Sequence, residues 1–557
     1  MFELIKNSSK NAKNDILSGL TVALALVPEA VAFAFVAGIS PIIGLYGAFM
    51  MGIITSIFGG RPGMISGATG AMAVVMVSLI KDGNAIGSAM EVPNETLGLQ
   101  YLFLTLLLVG IIQFSAGLFK LGKFVRLIPH SVMMGFVNGL AIVIFLSQLG
   151  MFKKFSLNEV GERITNSETG EFLKEYISGT PLYIMIGLVL LTMAIMYFLP
   201  KITKIVPAAL TAIVVVSAIA MFFFEDVSTV QSFIFDGSNG DITVGVKGGL
   251  PSFQVDIFTL VPLNWETLKL IFPYALILAA VGLIESLMTL NLIDEITDTR
   301  GNGNRECMAQ GGANFVNGLF GGMGGCAMIG QSLINVNSGG KGRLSGIVAA
   351  LALLGFILYG SDLINGVPIA ALVGVMFMVV IGTFAWSSFR ILGKIPKSDA
   401  FVLILVSAMT VIFDLAIAVV AGVIVSALVF SWENAKRIRA RRTFKEDGTK
   451  VYTIWGPLFF GSIQDFLGKF DIANDPEYIE IDFIESKVSD HSGVEAIDNL
   501  VNKYEKLGKK VTLKHLSADC DALLVKANPH FKDIIVTDVD DPRYYVMSDL
   551  AEADAVK

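Results

Sequence analysis

The chain has 557 residues, of which 54% are hydrophobic and 16% charged, with a formal net charge of −7. Soluble domains carry about 25% charged residues, so a soluble globular protein is excluded for most of the length, and no nucleic-acid partner is expected. The three cysteines, Cys307, Cys326 and Cys520, stand far apart, without CxxC or a histidine cluster. That excludes a disulfide framework and a zinc or haem site, and leaves each as a small apolar filler. With no catalytic triad, Walker loop or metal motif, neither an enzyme nor a direct user of ATP is expected, and no cofactor beyond a coupling ion.

Residues 1–14 are polar and basic and read as a cytoplasmic N-terminus, not a cleavable signal. Apolar runs near 15–36, 42–58, 64–80, 98–119, 127–150, 181–199 and 205–224 form a first set. Runs near 268–292, 307–320, 326–337, 344–359, 367–385, 400–413 and 415–432 form a second. Several are shorter than the about 20 residues a straight helix needs to cross, the shortest being those that follow the two motif copies described below. An odd number in each half forces the halves into opposite orientations. The expectation is a transmembrane transporter domain over 15–432, with repeat one at 15–224 and repeat two at 268–432. Basic residues set its orientation. Lys6, Lys10, Lys13, Lys120, Lys123, Arg126, Lys201, Lys204, Lys341, Arg343, Arg390, Lys394, Lys397 and the run Lys436–Lys445 all fall on one side if the spans number about fourteen. Both termini are then cytoplasmic, and loops 151–180 and 225–266 are external. His130, opening the fifth span, reads as structural. Residues 433–442 read as a basic linker and 443–557 as a small soluble domain. In it, strands at Val451–Trp455, Tyr478–Phe483 and Val511–His515 alternate with helices at Ile463–Phe470, Gly493–Leu507 and Ala518–Lys526, the pattern of an α/β domain.

A short pattern occurs once in each half. Phe58-Gly59-Gly60 is followed, after three residues, by Met64-Ile65-Ser66-Gly67. Phe320-Gly321-Gly322 is followed, after five, by Met328-Ile329-Gly330-Gln331. Glycine-broken apolar segments at matching places in two halves point to a transporter's binding site. Each copy reads as an extended stretch and then a half-helix, starting near Ala68 and near Gln331. Helix N-termini carry unsatisfied N–H groups and partial positive charge, so two facing each other make an anion site without a cation. The expected anion-binding set is Ser66, Gly67, Ala68 and Thr69 with Met328, Ile329, Gly330, Gln331 and Ser332. Close helix packing is the rival explanation of these glycines, and duplication at matching places favours the site.

Three acidic residues fall in or beside spans: Glu29, Glu285 and Asp414. A carboxylate in hydrocarbon costs several kcal/mol and marks an ion or proton pathway by default. Glu285 and Thr289 lie one helical turn apart on one face and could hold a proton or Na⁺, since oxygen ligands suit a hard cation. Asp414, at a span junction, reads equally as a helix cap. An anion and a cation bound together offset each other's desolvation, which is a physical basis for symport.

Taken together, Val27-Pro28-Glu29-Ala30, Gly67-Ala68-Thr69-Gly70, Glu285 through Asn304-Arg305-Glu306, Gly311, Asn314, Ser338-Gly339-Gly340-Lys341 and Arg343-Leu344-Ser345-Gly346 resemble the SulP family of sulfate permeases and related anion transporters, the family that includes prestin and pendrin. The resemblance implies an α-helical membrane protein of 7+7 inverted repeats divided into core and gate domains, with a cytoplasmic STAS domain. It also implies substrate between the third and tenth spans, an elevator-like movement of the core and a homodimer. Animal members often carry a basic residue in the tenth span near the anion, where this chain has Gln331, which favours cation-coupled symport over exchange or passive conductance. In sodium-coupled bicarbonate members an Asp commonly stands at the Glu285 position, with a Thr one turn later, here Thr289. Glu in that place, with a second Glu at position 29, favours protons over Na⁺. Val488-Ser489-Asp490-His491-Ser492-Gly493 resembles the STAS loop that carries a phosphorylated Ser after the Asp; here that place is His491. The following helix N-terminus could still bind an anion. The resulting expectation is H⁺-coupled symport of sulfate, bicarbonate or a dicarboxylate across a prokaryotic inner membrane. The alternatives are a Na⁺-coupled bicarbonate symporter, a passive anion channel or exchanger, a nucleobase permease presenting Glu29, Glu285 and Gln331 to base edges, and a sensor reporting to the C-terminal domain.

Overall fold

Backbone polar groups in lipid must be satisfied within the protein, which makes helices of long apolar runs. The computed structural model describes residues 11–90, 94, 97–122, 129–155, 174–203, 208–224, 227–232, 248–413 and 415–536. Lys6, Lys10, Lys123, Arg126, Lys204 and Asp414, parts of the loops 151–180 and 225–266, and the tail beyond 536 lie outside the described residues. The chain forms two compact units, Met1–Val423 and Ile424–Lys557.

Helices of five residues or fewer are left unnumbered. The first half of the first unit holds α1 (Ala12–Val36), α2 (Pro41–Phe58), β1 (Ser66–Gly67), α3 (Gly70–Ser88), α4 (Leu97–Leu118), α5 (His130–Leu149), a small hairpin of β2 (Lys153–Phe155) and β3 (Lys174–Tyr176), α6 (Thr180–Ile202) and α7 (Ala208–Phe223). The second half holds α8 (Trp265–Thr297), α9 (Gly303–Phe320), β4 (Cys326–Ala327), α10 (Ile329–Asn337), α11 (Arg343–Tyr359), α12 (Ile369–Thr383) and α13 (Lys397–Ile412). After these, α14 (Leu415–Ala435) runs into the second unit. Asn264 and Asn302 cap α8 and α9 by accepting from Thr267 N and Arg305 N, satisfying donors that helix starts leave open.

Eight described helices, α1–α6, α8 and α12, are long and apolar enough to cross a membrane. Each of the fourteen runs expected from the sequence coincides with one of α1–α14, and two of the helices outside this class have local reasons for it. Helix α9 buries Glu306, Gln310, Asn314 and Asn317; enclosed by α2 and α4, it has no need of an apolar surface. Helix α10 has only nine residues, whereas α3 has 19 and is not the stub expected of it.

Several packing partners are related by one operation: adding seven to each helix number, and wrapping round at fourteen, gives another pair in contact. α1 packs on α11 as α8 does on α4, α2 on α11 as α9 on α4, α5 on α13 as α12 on α6, and α3 on α8 as α10 on α1. Two equivalent halves of seven helices give this pattern. The contacts also sort the helices into a core, α1–α4 with α8–α11, and a gate containing α5–α7, α12 and α13, joined mainly through α1 against α12 and α7 and through α3 against α5. Small residues let the core helices approach closely. A Cβ on Gly110 would lie 2.7 Å from Gly311 O, and one on Gly318 would lie 2.6 Å from Phe103 O.

The strands β1 and β4 pair antiparallel, Ser66 with Ala327 and Gly67 with Cys326. This pairing corrects the register of the sequence repeat. Both Phe-Gly-Gly triplets do end equivalent helices, α2 and α9. However, Met64-Ile65 precedes β1 whereas Met328-Ile329 follows β4, so the two Met-Ile pairs are not structural equivalents. The half-helices begin at Gly70 and Ile329, each two residues from the expected start.

The second unit is a five-stranded sheet in the order β5-β6-β7-β8-β9: Arg439–Phe444, Lys450–Trp455, Tyr478–Glu485, Lys510–Lys514 and Ile535–Val536. Only β5 runs antiparallel to its neighbour. Helices α15 (His491–Glu505) and α16 (Ala518–Ala527) help close a core that includes Tyr452, Phe483, Leu500 and Leu513. The residues expected to form a basic linker, 433–442, divide between the end of α14 and β5. The alternating Arg439-Ala440-Arg441 of that run suits an edge strand, where charge blocks further pairing. Asp490 caps α15 by accepting from Gly493 N and also accepts from Phe460 N. A carboxylate thus already occupies the helix end considered for an anion.

Candidate functional site

The β1–β4 pair brings the starts of α3 and α10 together across the two halves. Met328 N donates to Ile65 O at 2.9 Å, and Ile65 N donates to Ser332 Oγ at 3.0 Å, extending the pairing on one side. Ala327 N donates to Ser286 Oγ, and Gly325 N to Asn314 Oδ1. Gln310 Nε2 donates to Ser66 Oγ at 2.8 Å and to Glu306 Oε1 at 2.7 Å, while Glu306 Oε2 accepts from Gly60 N. Arg343 donates to the carbonyls of Ser56, Ile57 and Gly59, and Arg305 to that of Phe58. Two arginines therefore close the C-terminus of α2, where a helix leaves acceptors open.

A cavity of about 320 Å³ opens at the two helix starts. Thr69, Gly70 and Ala71 line it from α3, and Met328, Ile329, Gly330 and Gln331 from α10. Thr69 and Met328 are the residues preceding the first helical position, both in extended backbone, so each helix turns its open N–H groups this way. Glu29 on α1 and Glu285 on α8 line the same cavity. Its remaining wall includes Phe136, Leu140 and Ile144 of α5 and Val379 and Thr383 of α12, that is, residues of the gate.

Of the residues singled out from the sequence, Glu29, Thr69, Glu285, Met328, Ile329, Gly330 and Gln331 meet at this cavity, and Ser66, Gly67, Ala68, Ser332 and Thr289 do not line it. Ser66 and Gly67 are buried in β1, and Ala68 is buried beside them. Ser332 is spent on the backbone of Ile65. Thr289, fully buried, donates from Oγ1 to the carbonyl of Glu285, 2.8 Å away. Cys326, expected as an inert filler, is buried but makes polar contacts. Its Sγ donates to Glu285 Oε2 at 2.7 Å and lies 3.3 Å from Thr69 Oγ1. The thiol joins the start of α3 to the acid of α8. No sequence signal marks this, because β1–β4 pairing alone brings those groups together. On the other side, the Gln331 carboxamide lies against Glu29.

Under the seven-step exchange α1 becomes α8 and α10 becomes α3. Each half thus supplies one carboxylate that faces the polar start of the helix after the other half's strand. Two converging helix N-termini can hold an anion, and half-buried carboxylates beside them can take up a cation or a proton.

Comparison with known proteins agrees with this architecture. Residues 13–406 match the model of the sulfate permease family. The chain is 42% identical over 516 residues to "Putative sulfate transporter YbaR" of Bacillus subtilis, covering 92% of this chain and 96% of that one. It is 30% identical over 518 residues to "Bicarbonate transporter BicA" of Picosynechococcus, covering 89% and 87%. The solved transmembrane domain of a cyanobacterial bicarbonate transporter BicA superposes with a TM-score of 0.60 at 29% identity, over 74% of this chain and 98% of that one. The overall structure of SLC26A9 superposes with a TM-score of 0.76 at 18% identity, over 99% and 91%, and so shares the fold through the C-terminal unit. The chain is a multi-pass helical membrane protein with a C-terminal α/β domain, and it belongs to the sulfate permease family, whose members are anion transporters and not enzymes.

Proposed function

We propose that the chain is a proton-coupled symporter of a small anion, sulfate or bicarbonate in the first instance and a dicarboxylate in the second. The anion sits between the N-termini of α3 and α10, where Thr69, Gly330 and Gln331 and the backbone N–H groups contact it. Ser66, Gly67, Ala68 and Ser332 act behind them by fixing the strand pair. Glu285 carries the proton, and Glu29 lines the same cavity. The core bundle moves against the gate bundle in an elevator-like step, carrying the site between the two sides. The cavity wall, made partly of each bundle, is the surface such a step would separate. The protein works as a homodimer in a prokaryotic plasma membrane with both termini cytoplasmic, a reading supported by the basic residues and by the bacterial relatives.

The observation that carries this reading is the meeting of two helix N-termini and two carboxylates at one cavity. The sulfur beside Glu285 favours protons over Na⁺, because Na⁺ seeks hard oxygen ligands, and Thr289, the expected second ligand, turns its hydroxyl to a backbone carbonyl.

Uptake into proteoliposomes with a panel of sulfate, bicarbonate, dicarboxylates and uracil, under separate H⁺ and Na⁺ gradients, tests it. Accumulation of an anion driven by H⁺ is expected. Uptake that follows only Na⁺, flux that never exceeds equilibration, or transport of uracil alone would each replace it with a rival.

A further inference from the structure

The cavity holds two carboxylates and, among its lining residues, no Lys, Arg or His. Its positive potential comes from the two helix starts, each worth roughly half an elementary charge and together roughly one. With both acids ionised, the empty site is net negative, and any anion is repelled. Neutralising one acid only brings the side-chain and helix charges into balance, so an anion still gains nothing. With both neutral, the anion meets the unopposed positive ends of α3 and α10.

The neighbours of each acid are suited to two protonation states. Glu285 faces the Cys326 thiol and the Thr69 hydroxyl, both able to donate to a carboxylate or accept from a carboxylic acid. Glu29 faces the Gln331 carboxamide, whose Oε1 is buried without a hydrogen-bond partner. That amide can accept from a neutral Glu29 through its Oε1 and donate to an ionised one through its Nε2. Among the described residues, the α5 and α12 walls present no charged group to either acid, and Cys326 is the only other titratable group in contact with either of them.

We infer that each anion crosses with two protons, one held by Glu285 and one by Glu29, so that the pseudo-symmetric acids form a two-proton site. This rests on the cavity being the transport site. Both protons enter from the side of higher proton concentration and leave with the anion. A divalent anion then moves without net charge, and a monovalent one carries one positive charge inward.

The experiment measures initial uptake by the full-length chain in liposomes. The concentration of radiolabelled sulfate, and separately of bicarbonate ion, is held constant while pH is raised equally on both sides, with protein-free liposomes as the control. On the alkaline limb, uptake by the unaltered chain should fall with the second power of proton concentration. Glu29→Gln should fall with the first power and still accumulate anion. First-power dependence in the unaltered chain, with H⁺-driven accumulation intact, would sink the second proton alone. Uptake independent of pH, or uptake of neither anion nor of a labelled dicarboxylate assayed in the same way, would sink it together with the proposed function. The unaltered chain decides the matter even if Glu29→Gln misfolds.

Discussion

At the residue scale, Glu285 and Gly330 have separable duties. Glu285 touches Cys326 and lines the cavity without holding a backbone element, so Glu285→Gln should fold. We expect its gradient-driven accumulation to fall to what the Glu29 proton alone sustains while anion exchange is retained, because the helix ends that hold the anion are intact. Counterflow and accumulation assays on the same preparation check this; full accumulation by the variant would remove Glu285 from coupling. Both glutamates were legible in the sequence because charge inside an apolar run is conspicuous. Cys326 was not, since a thiol is an ordinary apolar filler until strand pairing sets it between Thr69 and Glu285. Arg343, readable as a topology signal, acts as a cap on α2, a duty set by a contact across the two halves.

At the element scale, the β1–β4 pair and the two helix starts make opposite demands on glycine. A Cβ at Gly325 would lie 1.9 Å from Gly67 O, inside the strand pair, whereas nothing lies within 4 Å of a Cβ at Gly330. Gly325→Ala must therefore push the strands apart, at about 1–3 kcal/mol or more, and Gly330→Ala should be near neutral for folding. Melting temperatures of the two purified variants should differ in that order; equal melting would mean that the strand pair does not fix the site. The Phe-Gly-Gly triplets were readable because glycine past a helix end has a local backbone reason. Gly321 indeed adopts the left-handed conformation, φ 73°. The Met-Ile register was misread because two matching residues cannot show where a strand of the other half will pair.

In the C-terminal unit, Asp475 accepts from Lys450, Tyr452 and Tyr504. Burial pushes its carboxyl up, but these hydrogen bonds outweigh burial and leave it below the ordinary carboxylate range. A carboxyl lowered in the folded state stabilises above its unfolded value and loses that contribution as pH falls through the folded one. Acidification through that window should thus weaken the unit, and Asp475→Asn should flatten the dependence. Urea unfolding of residues 436–557 across pH measures both; an unchanged profile in the variant would assign acid sensitivity elsewhere. Strand β5 escaped the sequence reading because a basic run after a last span looks like a topology signal, and only its ladder with β6 shows it to be a strand.

At the scale of the whole molecule, the seven-step rule of helix packing explains why the site is built of pairs. The main core contacts of one half recur in the other, so an acid facing a helix start is produced twice. The count of long apolar runs could indicate this plan, but not the sorting into core and gate, which depends on which helices touch. That sorting also explains why the helices differ in how apolar they are. Helices enclosed by others, such as α9, carry amides and an acid, while α6, mostly open to its surroundings, is almost wholly apolar.

The most direct test of the central claim, that an anion rests between the starts of α3 and α10, uses Gly330→Cys. The three native cysteines are buried, and a side chain at position 330 points into open space at the cavity. The rate at which a small water-soluble thiol reagent labels this cysteine is measured with and without the transported anion. Labelling that is slowed by the transported anion, and not by one that the protein does not carry, is the expected result. A rate unchanged at saturating substrate would mean that the anion binds elsewhere.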